Sequence, residues 1–265
     1  GFEMDINIDI IRKKDMNFSI GGNLGTNANE VLELSKDING EEVNITSTTD
    51  RVESGHPVYG WYMPTWAGVD SQTGDELWYV NPEESDETSS NFNDAEQVWQ
   101  GGSAIPTITA GMNLHFDYKG IFIDANGYYA GGHKVYEEWH RYTNGTDVFS
   151  VAYYQGVEAL LDRWQKPGDV TRYGKFEYTA RPWQRHSKFL YDGDYFRLKD
   201  LTVGYDFNRA TLDKINLGGL RVFVRGVNLA TWVKDDNLKY DPETDTDGRT
   251  GMETPAAKSF ILVLT

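Results

Sequence analysis

The sequence predicts an all-β fold: a run of antiparallel strands that forms part of a transmembrane β-barrel. Three observations predict it. Short segments alternate apolar and polar residues, which puts every apolar side chain of a strand on one face. The connections between them are short and long in turn, as in barrels whose turns line one rim and whose loops line the other. Aromatic residues reach 14% and Gly (27) far outnumbers Pro (8), while apolar residues stop at 39%. That balance suits strands with many turns and a wet face better than a helical core.

In the first segment Met4, Ile6, Ile8 and Ile10 alternate with Glu3, Asp5, Asn7 and Asp9. The polar turn Arg12-Lys13-Lys14-Asp15 leads to a second strand, where Met16, Phe18, Ile20 and Leu24 alternate with Asn17, Ser19 and Asn23. A second pair places Ile108, Ala110, Met112, Leu114 and Phe116 against Thr107, Thr109, Asn113 and His115. After the turn Asp117-Tyr118-Lys119-Gly120 it returns through Ile121, Ile123, Ala125 and Tyr129, with Asp124 and Asn126 opposed. A third pair covers Tyr195 to Phe207 and Leu220 to Leu229, where Val222 and Val224 oppose Arg221 and Arg225. Its phase slips at Leu198-Lys199-Asp200-Leu201, which reads as a β-bulge. A last apolar strand spans Lys258 to Thr265, and one turn of helix is expected near Ala210–Ile215.

The expected strands are 3–11, 16–26, 106–116, 121–131, 193–206, 219–230 and 257–265, paired in sequential order. Roughly 9–11 residues suffice for a tilted strand to cross a bilayer. Met4, Ile6, Ile8, Ile121, Ile123, Val222 and Val224 should then face lipid. The long connections fall near 27–105, 132–187 and 231–256. A soluble sandwich also holds seven alternating strands, but it needs only about 100 residues, which would leave most of this chain as decoration. Seven strands cannot close a bacterial barrel, whose strand number is even, so the chain is expected to be a fragment.

Charge narrows the function classes. Asp and Glu (41) exceed Lys and Arg (25) for a net charge of −16, which repels phosphate backbones and anionic headgroups. Nucleic-acid binding is not expected. With no cysteine there is no thiolate nucleophile or Cys-ligated zinc. No 18-residue apolar run offers a helical span, a limit that does not touch barrel strands.

Several blocks, read in order, resemble the SusC/RagA branch of TonB-dependent outer-membrane transporters. Gly55-His56-Pro57-Val58-Tyr59-Gly60, Trp66-Ala67-Gly68-Val69-Asp70 and Thr73-Gly74-Asp75 are similar to one of its loops. Gly102 to Pro106 with Gly111, then Tyr118-Lys119-Gly120, resembles a hairpin. Arg163 to Thr171 (RWQKPGDVT), Leu220 to Leu229 (LRVFVRGVNL) and Tyr240-Asp241-Pro242-Glu243 follow the same pattern. Ser187 to Tyr205 (SKFLYDGDYFRLKDLTVGY) is the most specific block.

The resemblance implies the C-terminal part of a barrel of about 22 strands around a plugged lumen. It implies import of oligosaccharides, or alternatively of peptides, across the outer membrane of a Gram-negative bacterium. A SusD-like surface lipoprotein would cap the barrel, and energy would come from the TonB complex through an N-terminal part that, with the plug, lies outside this chain. Members usually end in an aromatic residue, whereas this chain ends Leu264-Thr265. A secreted carbohydrate-binding β-protein is the reading from a different class.

No enzyme, metal or cofactor site is expected. Glu137-Glu138 and Asp235-Asp236 are adjacent, so their side chains diverge and read as solvated loop pairs rather than glycosidase acids. His56, His115, His133, His140 and His186 are dispersed without ligand spacing. Glu243 to Gly248 has a calcium-loop look, but Thr254 stands where an EF-hand needs Glu. Trp61, Trp66, Trp139, Trp164 and Trp183, in the long loops, are the candidate substrate contacts, since sugar rings stack on Trp; Trp232 lies at a loop base. Asp124, Asn126, Arg221 and Arg225 are candidates for contacts with the lumen or plug.

Overall fold

The computed structural model of the chain describes residues 1–178, 184–251 and 254–265. Seven strands form one antiparallel sheet: β1 (Phe2–Lys13), β2 (Met16–Thr26), β3 (Ile108–Tyr118), β4 (Ile121–Gly131), β5 (Tyr195–Asp206), β6 (Arg221–Val233) and β7 (Ser259–Leu264). Each pairs with its neighbours in sequence, in the order expected. The β3–β4 turn holds Lys119 and Gly120, both at positive φ (51° and 94°), a two-residue hairpin whose twist matches that of the strands.

Register carries the two-faced character across the whole sheet. Ile8, Ile20, Leu114, Ala125, Leu201 and Gly226 succeed one another from β1 to β6 as one apolar row. The row nearer the long loops is Met4, Leu24, Ala110, Tyr129, Phe196 and Trp232. One step nearer the short turns than the first row, on the other face, run Asp9, Ser19, His115, Asp124, Thr202 and Arg225. No second sheet covers the apolar side among the described residues, and Met112 (58% exposed), Val203, Val224 and Leu262 stand bare. Water-soluble monomers rarely expose an apolar surface of that extent. The sandwich reading therefore fails, and the sheet is a segment of barrel wall.

The bulge expected near Lys199 is present: Leu198 and Asp200 pair with consecutive residues Gly127 and Asn126, leaving Lys199 as the extra residue. A second bulge was hidden. Asp9 pairs with Ser19 but Ile11 with Phe18, so Ile10 is the inserted residue and Ile11 takes its expected place. Helix is scarce, and one of its turns falls at Arg209–Leu212 and Asp213–Ile215, as expected.

The long connections are folded rather than structureless. In the first, Ile45–Thr46, Asp50–Val52, Gly60–Pro64 and Gln97–Ser103 form a four-stranded sheet, while Trp66–Val69, Glu76–Tyr79 and Thr88–Ser89 form another of three strands. In the second, Lys134–Tyr136 pairs with Leu190–Asp192. The buried cluster of Trp61, Met63, Tyr136, Phe189, Tyr191 and Leu238 draws on all three connections. The dry core of this chain thus lies in its loop assembly, at one end of the sheet.

Candidate functional site

Two surfaces carry the chemistry: the polar face of the sheet and the loop assembly beside its end. On the polar face Gly21 lies between Asn7 and Asn113. A Cβ there would sit 2.1 Å from Asn7 Oδ1 and 2.5 Å from Asn113 Oδ1, so the missing side chain gives both amides their room. Asp124, Asn126, Arg221 and Arg225 all fall on this face by register. Asp124 meets His115 Nδ1 at 2.5 Å, Arg225 pairs with Asp200, and Arg221 Nη2 donates to Asp206 at 2.6 Å. The face carries cross-strand polar pairs, Arg221–Asp206 and Arg225–Asp200 among them, turned toward open space.

The third connection folds onto that face. Arg197, 1% exposed, donates to Asp241 and, at 2.8 Å, to Glu243. Lys199 reaches both oxygens of Glu243 at 3.0 Å. Arg197 and Lys199 stand two residues apart in the strand, beside the bulge, and both cations reach the Glu243 carboxylate. Asp241 and Glu243 are therefore engaged with cations. Among the described residues no group of three His, Asp or Glu is placed to hold a metal ion.

Inside the loop assembly the candidate tryptophans act as packing anchors. Trp61 is 1% exposed and tilts against Tyr136 at 5.9 Å. Trp66 donates from Nε1 to Glu76 at 2.6 Å. Trp164 donates from Nε1 to the Ser71 carbonyl at 2.9 Å and covers Gly74, at φ 75°. The RWQKPGDVT element is thereby clasped on the Thr73-Gly74-Asp75 turn. Trp139 lies 4.9 Å from Tyr142, and Trp183 lies outside the described residues. Trp66, Trp139 and Trp164 keep part of their surface exposed.

Charges inside this core escaped sequence reasoning. Lys188, 5% exposed, bonds Glu76 at 2.6 Å and sits over the rings of Trp66 and Tyr173 at 5.0 and 4.6 Å. Burial lowers its pKa, and Glu76 opposes the shift. Glu137 is not the solvated loop acid expected. It is 2% exposed, accepts from the Tyr191 hydroxyl at 3.0 Å, and burial pushes its pKa up to about 7. Its neighbour Glu138 pairs with Arg185. His140 and His186, far apart in sequence, come within 6.0 Å. Burial drives the pKa of His140 down to about 4 and that of His186 well below its usual value, so both are neutral at pH 7. Beside Glu137 opens a cleft of about 740 Å³ lined by Arg172, Tyr173, Tyr191, Asn237 and Tyr240, a mixture of rings and polar groups of the kind that holds small polar ligands.

Comparison with known proteins agrees with this architecture. No family model matches the chain. Two curated relatives come from Formosa agariphila: TonB-dependent receptor P39, 29% identical over 154 residues, and TonB-dependent receptor P3, 26% identical over 272 residues. These alignments cover 56% and 92% of this chain but only 14% and 25% of the relatives, so the chain spans a quarter of their length or less. Among solved structures, the RagAB peptide transporter superposes with a TM-score of 0.78 at 22% identity. The RagAB peptide importer in its open-open state gives 0.79 at 23%. Each match covers 99% of this chain and 28% of the other.

The fold is a segment of a β-barrel wall with a structured loop assembly at one end. In sequence the chain is similar to a portion of TonB-dependent receptors.

Proposed function

We propose that this chain contributes wall and loops to an importer in the outer membrane of a Gram-negative bacterium, SusC-like in type, which takes up glycan oligosaccharides. One observation carries the reading: a single sheet, seven strands wide, is apolar along one face and ion-paired along the other. Such a sheet separates lipid from a wet lumen. The long connections 27–105, 132–187 and 231–256 then lie on the extracellular side, and the barrel would hold a plug supplied by another part of the protein. The TonB complex would deliver energy through that other part.

A SusD-like lipoprotein is the proposed partner. The first two connections expose Ile38, Val43, Val151, Leu161 and Val170, apolar groups that a partner surface well above about 1,000 Å² would cover. Substrate would lie between the two proteins, within reach of Trp66, Trp139, Trp164 and the cleft at Tyr240. A peptide cargo is the second reading, favoured by the RagAB structures, which are those of a peptide transporter. Uptake separates the two. Cells carrying the intact transporter, given a labelled pectin hydrolysate or a labelled casein digest, should accumulate the first in a TonB-dependent way. Accumulation of neither, with the barrel folded in the membrane, refutes the importer. Purification without a lipoprotein refutes the lid.

A further inference from the structure

Charge and space combine at the cleft beside Glu137, where the second connection meets the third. Arg172 and Lys239 both line its volume of about 740 Å³. In a chain of net charge −16 cations find carboxylates readily. Within the loop assembly Arg51 holds Glu53, Arg185 holds Glu138, and Arg249 holds Asp50 and Asp247. Arg172 holds no carboxylate among the described residues. Its Nη2 donates to the Lys188 carbonyl, and its guanidinium lies 5.7 Å from the ring centres of both Trp66 and Tyr191. Lys239, from the third connection, likewise spends its ammonium on a backbone carbonyl, that of Asp236.

The acids that share the cleft do not neutralise these cations. Glu137 is buried, its pKa lifted to about 7, and its Oε2 is taken by the Tyr191 hydroxyl. Glu158 and Asp162 also line the cleft, but both are exposed, where water and salt screen their charge. Arg172 is half-buried, and a charge drawn out of water is costly unless it is paired. Its planar fork, held beside two aromatic rings, is suited to a carboxylate, which it would take through two parallel hydrogen bonds. Tyr173, Tyr191 and Tyr240 supply rings around the same space, a lining that suits the body of a small polar molecule.

We propose that this cleft binds a carboxylate-bearing molecule, with Arg172 taking the carboxylate and Lys239 adding positive charge at the exposed side. That the molecule is cargo rests on the importer reading. The same chemistry then has two sources, the uronate group of an acidic oligosaccharide and the C-terminal carboxylate of a peptide.

Calorimetric titration of the intact transporter in detergent tests the site with two matched pairs: trigalacturonate against its methyl ester, and trialanine against its C-terminal amide. At least one acid should bind about ten-fold more tightly than its neutral partner, the worth of one charge-assisted pair. The pair that shows the preference names the source. Arg172→Gln should abolish the preference, and Arg172→Lys should keep part of it. Lys239→Gln, at an exposed side chain, should weaken acid binding about two-fold, with the loops as resistant to proteolysis as before. Failure of both acids to bind, neutral partners that bind as tightly as the acids, or a preference that survives in Arg172→Gln overturns the site. Should Arg172→Gln not fold, the preference in the unmodified protein and its weakening in Lys239→Gln decide. Acid preference without uptake of either labelled digest upholds the site and counts against the importer; uptake without acid preference does the reverse.

Discussion

Arginine placed on the apolar face should cost stability according to depth, and Met112 is the site at which that cost peaks. At a rise of about 3.3 Å per residue and a tilt near 40°, each residue climbs roughly 2.5 Å through the bilayer. Met112 lies between Ile108 and Tyr118, the ends of β3, about 10 Å from one and about 15 Å from the other on that scale. An apolar band about 25 Å tall therefore has Met112 near its middle. There it is 58% exposed, between Gly22 and Gly127, so no neighbouring side chain on the adjacent strands shields it. Met112→Arg should destabilise the folded barrel by about 2–4 kcal/mol, the range for a lipid-facing Arg at the midplane. Ile123 is only two residues into β4, about 5 Å from the rim, so Ile123→Arg should cost about 0–1 kcal/mol. Asn113→Arg, one residue from Met112 but on the polar face, should cost little. Urea titration of the full barrel in lipid vesicles reads all three. Equal costs at Met112 and Asn113 would refute the assignment of faces.

Other outcomes concern the loop assembly. Lys188→Met removes the cation from the half-buried Glu76, which keeps the Trp66 Nε1 and Gly174 N–H donors; the loss should cost about 1–3 kcal/mol, and limited proteolysis should then cut the loops while the wall stays intact. Glu137 has a folded pKa raised to about 7 by burial, against 4.5 ordinarily. Between those values the unfolded chain releases a proton that the folded one keeps. Stability of the assembly should therefore fall as pH rises from about 4.5 to 7, by up to about 3 kcal/mol, and level off above. Glu137→Gln should flatten that profile, and a profile unchanged in the variant would show that another group titrates. Gly74→Ala adds a Cβ 2.4 Å from the Trp164 ring at φ 75°. It should cost about 1–3 kcal/mol, read as a lower melting temperature of the assembly.

The wall was legible because its signal is local. A strand with one face in lipid must alternate, and from Thr107 to Phe116 it does so without another residue in view. The slip at Leu198-Lys199 was readable because a charge interrupted the alternation. The slip at Ile10 was not, since Ile8, Ile10 and Ile11 look alike and only the pairing of Ile11 with Phe18 exposes it. The loop assembly was opaque for a different reason. Its contacts join distant residues, as where Trp66 donates to Ser187 Oγ across 121 positions and Lys188 reaches Glu76 across 112. Glu137 looked solvated beside Glu138 because burial depends on Tyr191, which is 54 residues away. Trp78, only 2% exposed, passed unnoticed. Its short strand pairs with Trp66–Val69 through an irregular register that periodicity cannot find.

A cysteine scan of β3 in the intact, membrane-embedded transporter tests the central claim most directly. Single cysteines from Ala110 to Phe116, carrying a polarity-sensitive fluorophore, would be quenched in turn by a lipid-borne and by a water-borne quencher. The account predicts strict alternation. Ala110, Met112, Leu114 and Phe116 should respond to the lipid quencher, and Gly111, Asn113 and His115 to the aqueous one. Uniform quenching by the aqueous reagent along the strand, or alternation in the opposite phase, would contradict a wall with this face in the membrane.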